Sequence, residues 1–197
     1  MSMDLIRLAR AYEFAARYHT EQRRKGVKAE PYINHLAEVA LLVSESTDGA
    51  DANLVLAAVL HDTIEDTKAT YDDLVSAFGQ DVAELVKEVT DDKTIPKAQR
   101  KRLQVEHAPH LSPRARMIKI ADKTSNLRSV LHSPPVDWSP ERRRRYFAWA
   151  KTVVAGARGV NRAIEAAFDA EYERGIAEGL ADRNMVWHPG LEIENDD

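Results

Sequence analysis

Apolar residues recur with the helical period along nearly the whole chain. Over residues 3–18, Leu5, Leu8, Ala9, Tyr12, Ala15 and Ala16 fall at i, i+3, i+4 spacing, the pattern of an amphipathic helix. A polar loop with Gly26 and Pro31 follows, and a second helix is predicted from about His35 to Ser46. Asp48 to Asp51 breaks the chain. From Asn53 to about Thr63 the pattern changes. Every position from Leu54 to Leu60 is apolar, which predicts a helix buried on all sides and central to the fold. Thr70 with Asp73 has the form of a capping box opening a short helix that Gly79 closes, and another helix runs from Asp81 to about Val89. Pro96, Pro113 and Pro140 each suit a first helical turn, the latter two behind a serine N-cap. These starts predict helices near 97–107, 113–131 and 140–155, with a last one from Asn161 to about Glu178. No segment alternates with period two between hairpin turns, and no repeat is visible. The expected fold is all-α, about nine helices in one domain over residues 1–180. An acidic C-terminal extension, 181–197, should fray from about Pro189.

The 197 residues include no cysteine, which excludes disulfides, thiolate nucleophiles and thiolate metal sites. Any bound metal must be held by His, Asp or Glu. Lys and Arg number 28 against 32 Asp and Glu, and four of the acids (Glu192, Glu194, Asp196, Asp197) sit in a terminal stretch without a base. The rest of the chain is formally neutral, which argues against coating of nucleic acid or anionic membrane. No apolar run approaches the ~20 residues needed to span a bilayer, and the first residues lack the apolar core of a signal peptide. We therefore expect a soluble cytoplasmic protein with no nucleic-acid or membrane partner.

The buried helix ends in charge: His61-Asp62-Thr-Ile-Glu65-Asp66 places one imidazole and three carboxylates within six residues. Unpaired charges beside a core cost several kcal/mol, so a cation is expected there, and a divalent metal held by imidazole and carboxylate is a natural candidate. From spacing alone, an ordinary helix end running into a solvated acidic loop remains open. His35 stands at a helix start after a tight polar loop. Asp122 lies on an apolar helix face among Met117, Ile118, Ile120 and Ala121, where a metal, Lys119 or Lys123 would serve as its partner. The other five histidines lack such carboxylate neighbours.

His35, the His61-Asp62 pair and the later Asp122 have the order and spacing of the HD metal-phosphohydrolase superfamily. Five blocks narrow the likeness: Arg24-Lys-Gly26, Pro31-Tyr-Ile-Asn-His35, His61-Asp-Thr-Ile-Glu-Asp-Thr67, Glu88-Val-Thr-Asp-Asp-Lys93 and Ala121-Asp-Lys-Thr-Ser-Asn-Leu-Arg128. They resemble the hydrolase domain of RelA/SpoT enzymes. The segment Lys97-Ala-Gln-Arg-Lys-Arg-Leu-Gln-Val-Glu-His-Ala-Pro109 is similar to the stand-alone small alarmone hydrolases, animal SpoT homologues included. The resemblance covers roughly residues 5–178, and one departure is Leu36, where many relatives carry proline.

The resemblance implies a Mn²⁺-dependent enzyme that removes pyrophosphate from the ribose 3′ position of ppGpp or pppGpp, leaving GDP or GTP. It assigns His35, His61, Asp62 and Asp122 as metal ligands, and Glu65 and Asp66 as the acidic pair that positions and activates water. Arg24, Lys25, Lys97 and Asn126 correspond to positions near the nucleotide, with Tyr146 a weaker candidate. No synthetase activity is expected, because the hydrolase-like region already takes up the chain. The run Arg142–Arg145 spreads round a helix, so one or two arginines can reach a polyphosphate while the others meet solvent or acids. Trp138, Phe147, Trp149 and Trp187 are expected in the core. Two other readings stand beside this one: a metal phosphatase acting on another ribose-phosphorylated nucleotide, and a non-catalytic nucleotide-sensing module, against which the acidic pair argues.

Overall fold

In the computed structural model, residues 2–191 are described; Met1 and residues 192–197, with the four terminal acids, lie outside the described residues. Among the described residues ten α-helices follow one another: α1 (Ser2–Tyr18), α2 (Ile33–Ser46), α3 (Ala52–Leu60), α4 (Thr63–Asp66), α5 (Tyr71–Phe78), α6 (Gln80–Val89), α7 (Lys97–His107), α8 (Pro113–His132), α9 (Pro140–Ala157) and α10 (Arg162–Ala177). Short 3₁₀ turns occupy Ala108–His110 and Pro189–Leu191. No strand occurs among the described residues; only two isolated bridges, Arg23 with Pro31 and Gly26 with Pro135, have β pairing.

The helix starts follow the local chemistry. Ser112 and Ser139 side chains accept from the backbone N–H groups of Ala115 and Arg142, and Asn161 accepts from Ala163 and Ile164. Thr70 and Asp73 form the reciprocal capping box, and Gly79, at φ +90°, ends α5. The all-apolar helix is central as its sequence requires. Leu54 to Leu60 are all buried, and α3 packs on α1, α2 and α6 and touches α8. Helix α8 runs beside α2, α6, α9 and α10 and closes the other side of the same core. Leu36, the departure from the proline of relatives, is fully buried in that core.

One helix end differs from expectation. The buried helix ends at Leu60, not near Thr63, and the residues after it form the separate single turn α4, which accounts for a tenth helix. The cause lies at Asp62, whose φ of −97° and ψ of 0° leave the helical region. In an unbroken helix neighbouring side chains point about 100° apart; the break lets His61 and Asp62 face one point. The extension past α10 is partly packed: Tyr172 Oη donates to the Asp182 carbonyl, Lys151 Nζ to that of Arg183, and Trp187 is buried. At the opposite end, Gly26 lies so close to Ser133 that a Cβ would sit 2.1 Å from its carbonyl oxygen. Only glycine permits this approach, which pins the Arg24-Lys25 loop to the end of α8.

Candidate active site

Three separate pieces of chain bring four side chains to one point. His35 comes from the first turn of α2, His61 and Asp62 from the α3–α4 break, and Asp122 from the middle of α8. His35 Nε2 lies 3.6 Å from Asp62 Oδ2 and 3.3 Å from Asp122 Oδ1; His61 Nε2 lies 3.1 and 3.9 Å from the same two oxygens. Ligand atoms of His35, His61 and Asp62 all fall within 4.8 Å of one another. Two donors on a single ion at about 2.0–2.2 Å can be no more than about 4.4 Å apart, so the measured pairs suit a shared cation.

The hydrogen bonds behind the ligands favour the same use. His61 Nδ1 lies 2.9 Å from the Ala58 carbonyl oxygen, which can only accept, so Nδ1 carries a proton. His35 Nδ1 lies 2.8 Å from Ser125 Oγ. Both Nε2 atoms are buried and form no hydrogen bond. Buried polar atoms without partners are costly, and these two point at a pair of carboxylates. Mixed imidazole and carboxylate donors accept Mn²⁺ and other first-row divalent ions.

The electrostatics of the cluster are dominated by these carboxylates. Burial opposes protonation of His61, but Asp62, Asp122 and the Ala58 carbonyl outweigh it and raise its pKa to about 9. Burial raises Asp62 and Asp122, yet their neighbours hold both well below the carboxylate range: the His61 and His35 side chains for Asp62, Lys123 and then the same two side chains for Asp122. Tyr32 Oη donates to Asp62 Oδ2 at 2.6 Å, and Asn126 Nδ2 to Asp122 Oδ1 at 2.6 Å. Both acids are therefore oriented as well as ionised.

The acidic pair lies beside this cluster but is held differently. Burial and the nearby Asp62 raise the Glu65 pKa to about 7, against the Asp91 N–H, which donates to Glu65 Oε2 at 2.9 Å. Asp66 accepts from Gln22 Nε2 at 2.6 Å and from Lys93 Nζ. Gln22 is in turn bound to the buried His19, 2.5 Å away. Glu65 is thus tuned toward proton exchange near neutral pH, while Asp66 is fixed by two donors from separate loops.

A cleft opens from these carboxylates. Two cavities of about 250 and 410 Å³ share Tyr32, Glu65, Asp66, Arg100, Asn126, Trp138 and Tyr146, and so form one trough. Its floor is acidic and its far wall cationic. Lys97, Arg100, Lys101 and Gln104 line it from α7, at the i, i+3, i+4, i+7 positions of one face. Arg142, Arg145, Tyr146 and Trp149 do the same from α9. Arg24 and Lys25 border the second cavity, with Arg24 Nη2 donating to Asn126 Oδ1 at 3.0 Å. All five residues matched to nucleotide positions thus line the trough. Burial raises the Tyr146 hydroxyl to about 12, so it remains a neutral donor. Of the arginine run, Arg142 and Arg145 face the trough, whereas Arg144 turns outward to the Gly179 carbonyl and Glu141. Trp138 is half-buried and packs against the core, as expected, while its exposed part borders the trough. It lines both cavities, with the Arg142 guanidinium 5.0 Å from its ring centre.

Lys123 was one of the partners expected for Asp122, whereas sequence reasoning assigned no role to Tyr32 or the Asp91 backbone. Lys123 is 3% exposed, pairs with Asp122 Oδ2 at 2.9 Å and sits 4.4 Å from the Trp149 ring centre. Its signal was its place beside Asp122 on a largely apolar helix. Tyr32 stood inside a quoted block, and the Asp91 N–H leaves no trace in side-chain identity.

The HD domain family matches residues 11–150. The chain belongs to the HD-domain family. Among relatives, the guanosine-3′,5′-bis(diphosphate) 3′-pyrophosphohydrolase MESH1 of Xenopus tropicalis is 47% identical over 178 residues, covering 90% of this chain and 99% of its own. The human protein of that name is 48% identical over 167 residues, 85% and 93% of the two chains. A solved structure, described as a metazoan orthologue of SpoT that hydrolyses ppGpp, superposes with a TM-score of 0.83 at 42% identity over 88% of this chain and 96% of that one. HD membership agrees with divalent-metal binding at the His35–His61–Asp62 cluster. Among the described residues no helix is long and apolar enough to cross a membrane.

Proposed function

We propose that this chain is a metal-dependent 3′-pyrophosphohydrolase of guanosine 3′,5′-bis(diphosphate) and its 5′-triphosphate analogue, acting in the cytoplasm with Mn²⁺. One observation carries the reading. Two partnerless imidazole nitrogens and two oriented carboxylates meet at the acidic end of a trough whose other wall is cationic. The likeness to pyrophosphohydrolases of ppGpp over most of the chain supports the substrate.

His35, His61, Asp62 and Asp122 would hold the ion. When bound, it supplies an acidified water and offsets phosphate charge. Glu65 is the proton acceptor: it takes a proton from the attacking water, and its raised pKa of about 7 matches that task at neutral pH. Asp66, gripped by Gln22 and Lys93, orients that water as a fixed acceptor. Arg24, Lys25, Lys97 and Asn126 bind and align the nucleotide, with Tyr146 donating a hydrogen bond. Phosphoryl transfer needs little beyond such positioning and charge stabilisation. The outer wall of α7 and α9 meets the remaining phosphates, where its lysines and arginines tolerate a longer or shorter 5′ chain.

A second reading has one observation in its favour. The wall nearest the outer trough is aromatic and cationic (Trp138, Arg142, Tyr146) and so selects charge and a planar ring more than one base. The test is a Mn²⁺-dependent turnover assay with ppGpp alongside nucleotides phosphorylated elsewhere on the ribose. Preferred turnover of ppGpp supports the first reading; turnover of another ribose phosphate with none of ppGpp replaces it with the second.

A further inference from the structure

The segment Ala121–Arg128 supplies Asp122 and Asn126 to the trough, but Ser125 and Arg128 face the other way. Ser125 is fully buried on α8. Its Oγ lies 2.8 Å from His35 Nδ1 and 2.5 Å from Glu38 Oε2. Glu38 is one turn along α2 from His35, and Arg128 is one turn along α8 from Ser125. Arg128 joins the two chains of contacts: Nη1 donates to Glu38 Oε1 at 3.0 Å and Nε to Glu171 Oε1 at 2.7 Å. Glu171, on α10, is 2% exposed and also pairs with Arg174.

Counting protons along this chain sets its direction. Ser125 has one hydroxyl proton, and Glu38, which accepts from the Arg128 guanidinium, is the acceptor beside it. The hydroxyl must therefore donate to Glu38, leaving an Oγ lone pair toward His35 Nδ1. Nδ1 then carries the imidazole proton, and Nε2 is left bare. It is Nε2 that faces Asp62 and Asp122. His61 obtains the same arrangement from the backbone, through the Ala58 carbonyl. His35 has no such carbonyl and depends on side chains, Ser125 and Arg128 from α8 and Glu38 from its own helix.

We propose that Ser125, oriented by Glu38 and Arg128, is a positioning residue that fixes the tautomer and ring plane of His35 for metal capture. The inference rests on the reading of His35 as a ligand. Outer-shell partners of this kind change metal affinity by about 10–100-fold when removed. Without Glu38 the hydroxyl is free to rotate and donate to Nδ1, which would place the imidazole proton on Nε2 and block it.

The experiment compares the full chain with Ser125→Ala, Glu38→Ala and His35→Gln. It reads the Mn²⁺ dissociation constant by calorimetry, the thermal midpoint of the metal-free protein, and kcat at saturating Mn²⁺. Ser125→Ala should bind Mn²⁺ about 10–100-fold more weakly, with kcat at saturating metal within a few-fold of the parent. Glu38→Ala should shift affinity in the same direction, and because Glu38 is partly exposed it decides the question if Ser125→Ala does not fold. A lowered metal-free midpoint with parental Mn²⁺ affinity in the variants that fold would mean purely structural roles and overturn the proposal. Parental affinity in His35→Gln would instead show that the ligand assignment itself is mistaken.

Discussion

The two ends of the trough solve opposite problems. At the metal end, charges are buried, and each has a dedicated partner: Tyr32 for Asp62, Asn126 and Lys123 for Asp122, a carbonyl for His61, a hydroxyl for His35. Across the trough, the α7 wall is built on a helix with no buried residue, and its long cationic side chains border solvent. Electrostatic interactions gain strength in a dry, low-dielectric site and lose it where water and salt screen them. A rigid buried centre suits bond cleavage at one phosphorus. A cationic wall that borders solvent suits holding phosphates whose number varies. The comparison implies that substitutions at the first end act on catalysis and those at the second on binding.

The largest effects should come from the ligands. His61→Ala and Asp122→Asn should reduce Mn²⁺ binding beyond detection and hydrolysis to background, read by calorimetry and by pyrophosphate release. Retained metal binding in either would separate that residue from the centre. Next come Glu65→Gln and Asp66→Asn. They should keep the metal yet lose about 10²–10⁴-fold in kcat. Loss of metal in step with activity would make these carboxylates ligands, and unchanged rates would remove them from the reaction.

Glu65 also carries a stability consequence. Its folded pKa of about 7 stands above the ordinary 4.5, so the folded state prefers the neutral carboxyl. That preference stabilises the metal-free protein fully below pH 4.5 and is lost as pH rises through 7. Glu65→Gln should therefore match the parent near pH 4.5 and exceed it above pH 7 by about 1–3 kcal/mol. Denaturant unfolding of metal-free protein at both pH values checks this. A parent more stable than the variant at pH 8 would contradict the strained state of Glu65. The smallest effect belongs to the outer wall. Lys97→Ala should raise KM roughly three- to tenfold with kcat nearly unchanged, and the defect should shrink at high salt. A defect confined to kcat would place Lys97 on the transition state and erase the division between the two ends.

How legible each end was in the sequence follows from the same physics. Charged residues set into apolar helices stand out against their neighbours, which marked His61, Asp62 and Asp122 as candidates, while their grouping with His35 came from the resemblance to the HD superfamily. The break that makes it possible could not. Leu54–Leu60 read as a helix continuing toward Thr63, and nothing in His61-Asp62 announces a φ,ψ change at Asp62. The cationic wall was harder. In α7 the inner face is polar, because it faces a trough and not a core, so hydrophobic periodicity gave no inward direction. The start at Pro96 placed the helix, and only packing against α9 shows that Lys97, Arg100 and Lys101 point inward. Trp138 was legible only as a core aromatic: it packs on the core, and its place along the cavity comes from the fold. Contacts through backbone groups, such as Asp91 N–H to Glu65, were beyond reach of any side-chain pattern.

The central claim is that a fixed buried centre cuts one phosphorus while the wall merely holds the others. Its most direct test is product identity after incubation of the Mn²⁺-loaded chain with the 5′-triphosphate, 3′-diphosphate guanosine nucleotide. Near-attack geometry at about 3–3.5 Å admits one phosphorus at a time, so the products should be GTP and pyrophosphate, with the 5′ chain intact. Guanosine products shortened at the 5′ end, with the 3′-diphosphate retained, would show that the centre faces the other side of the ribose and would contradict the account.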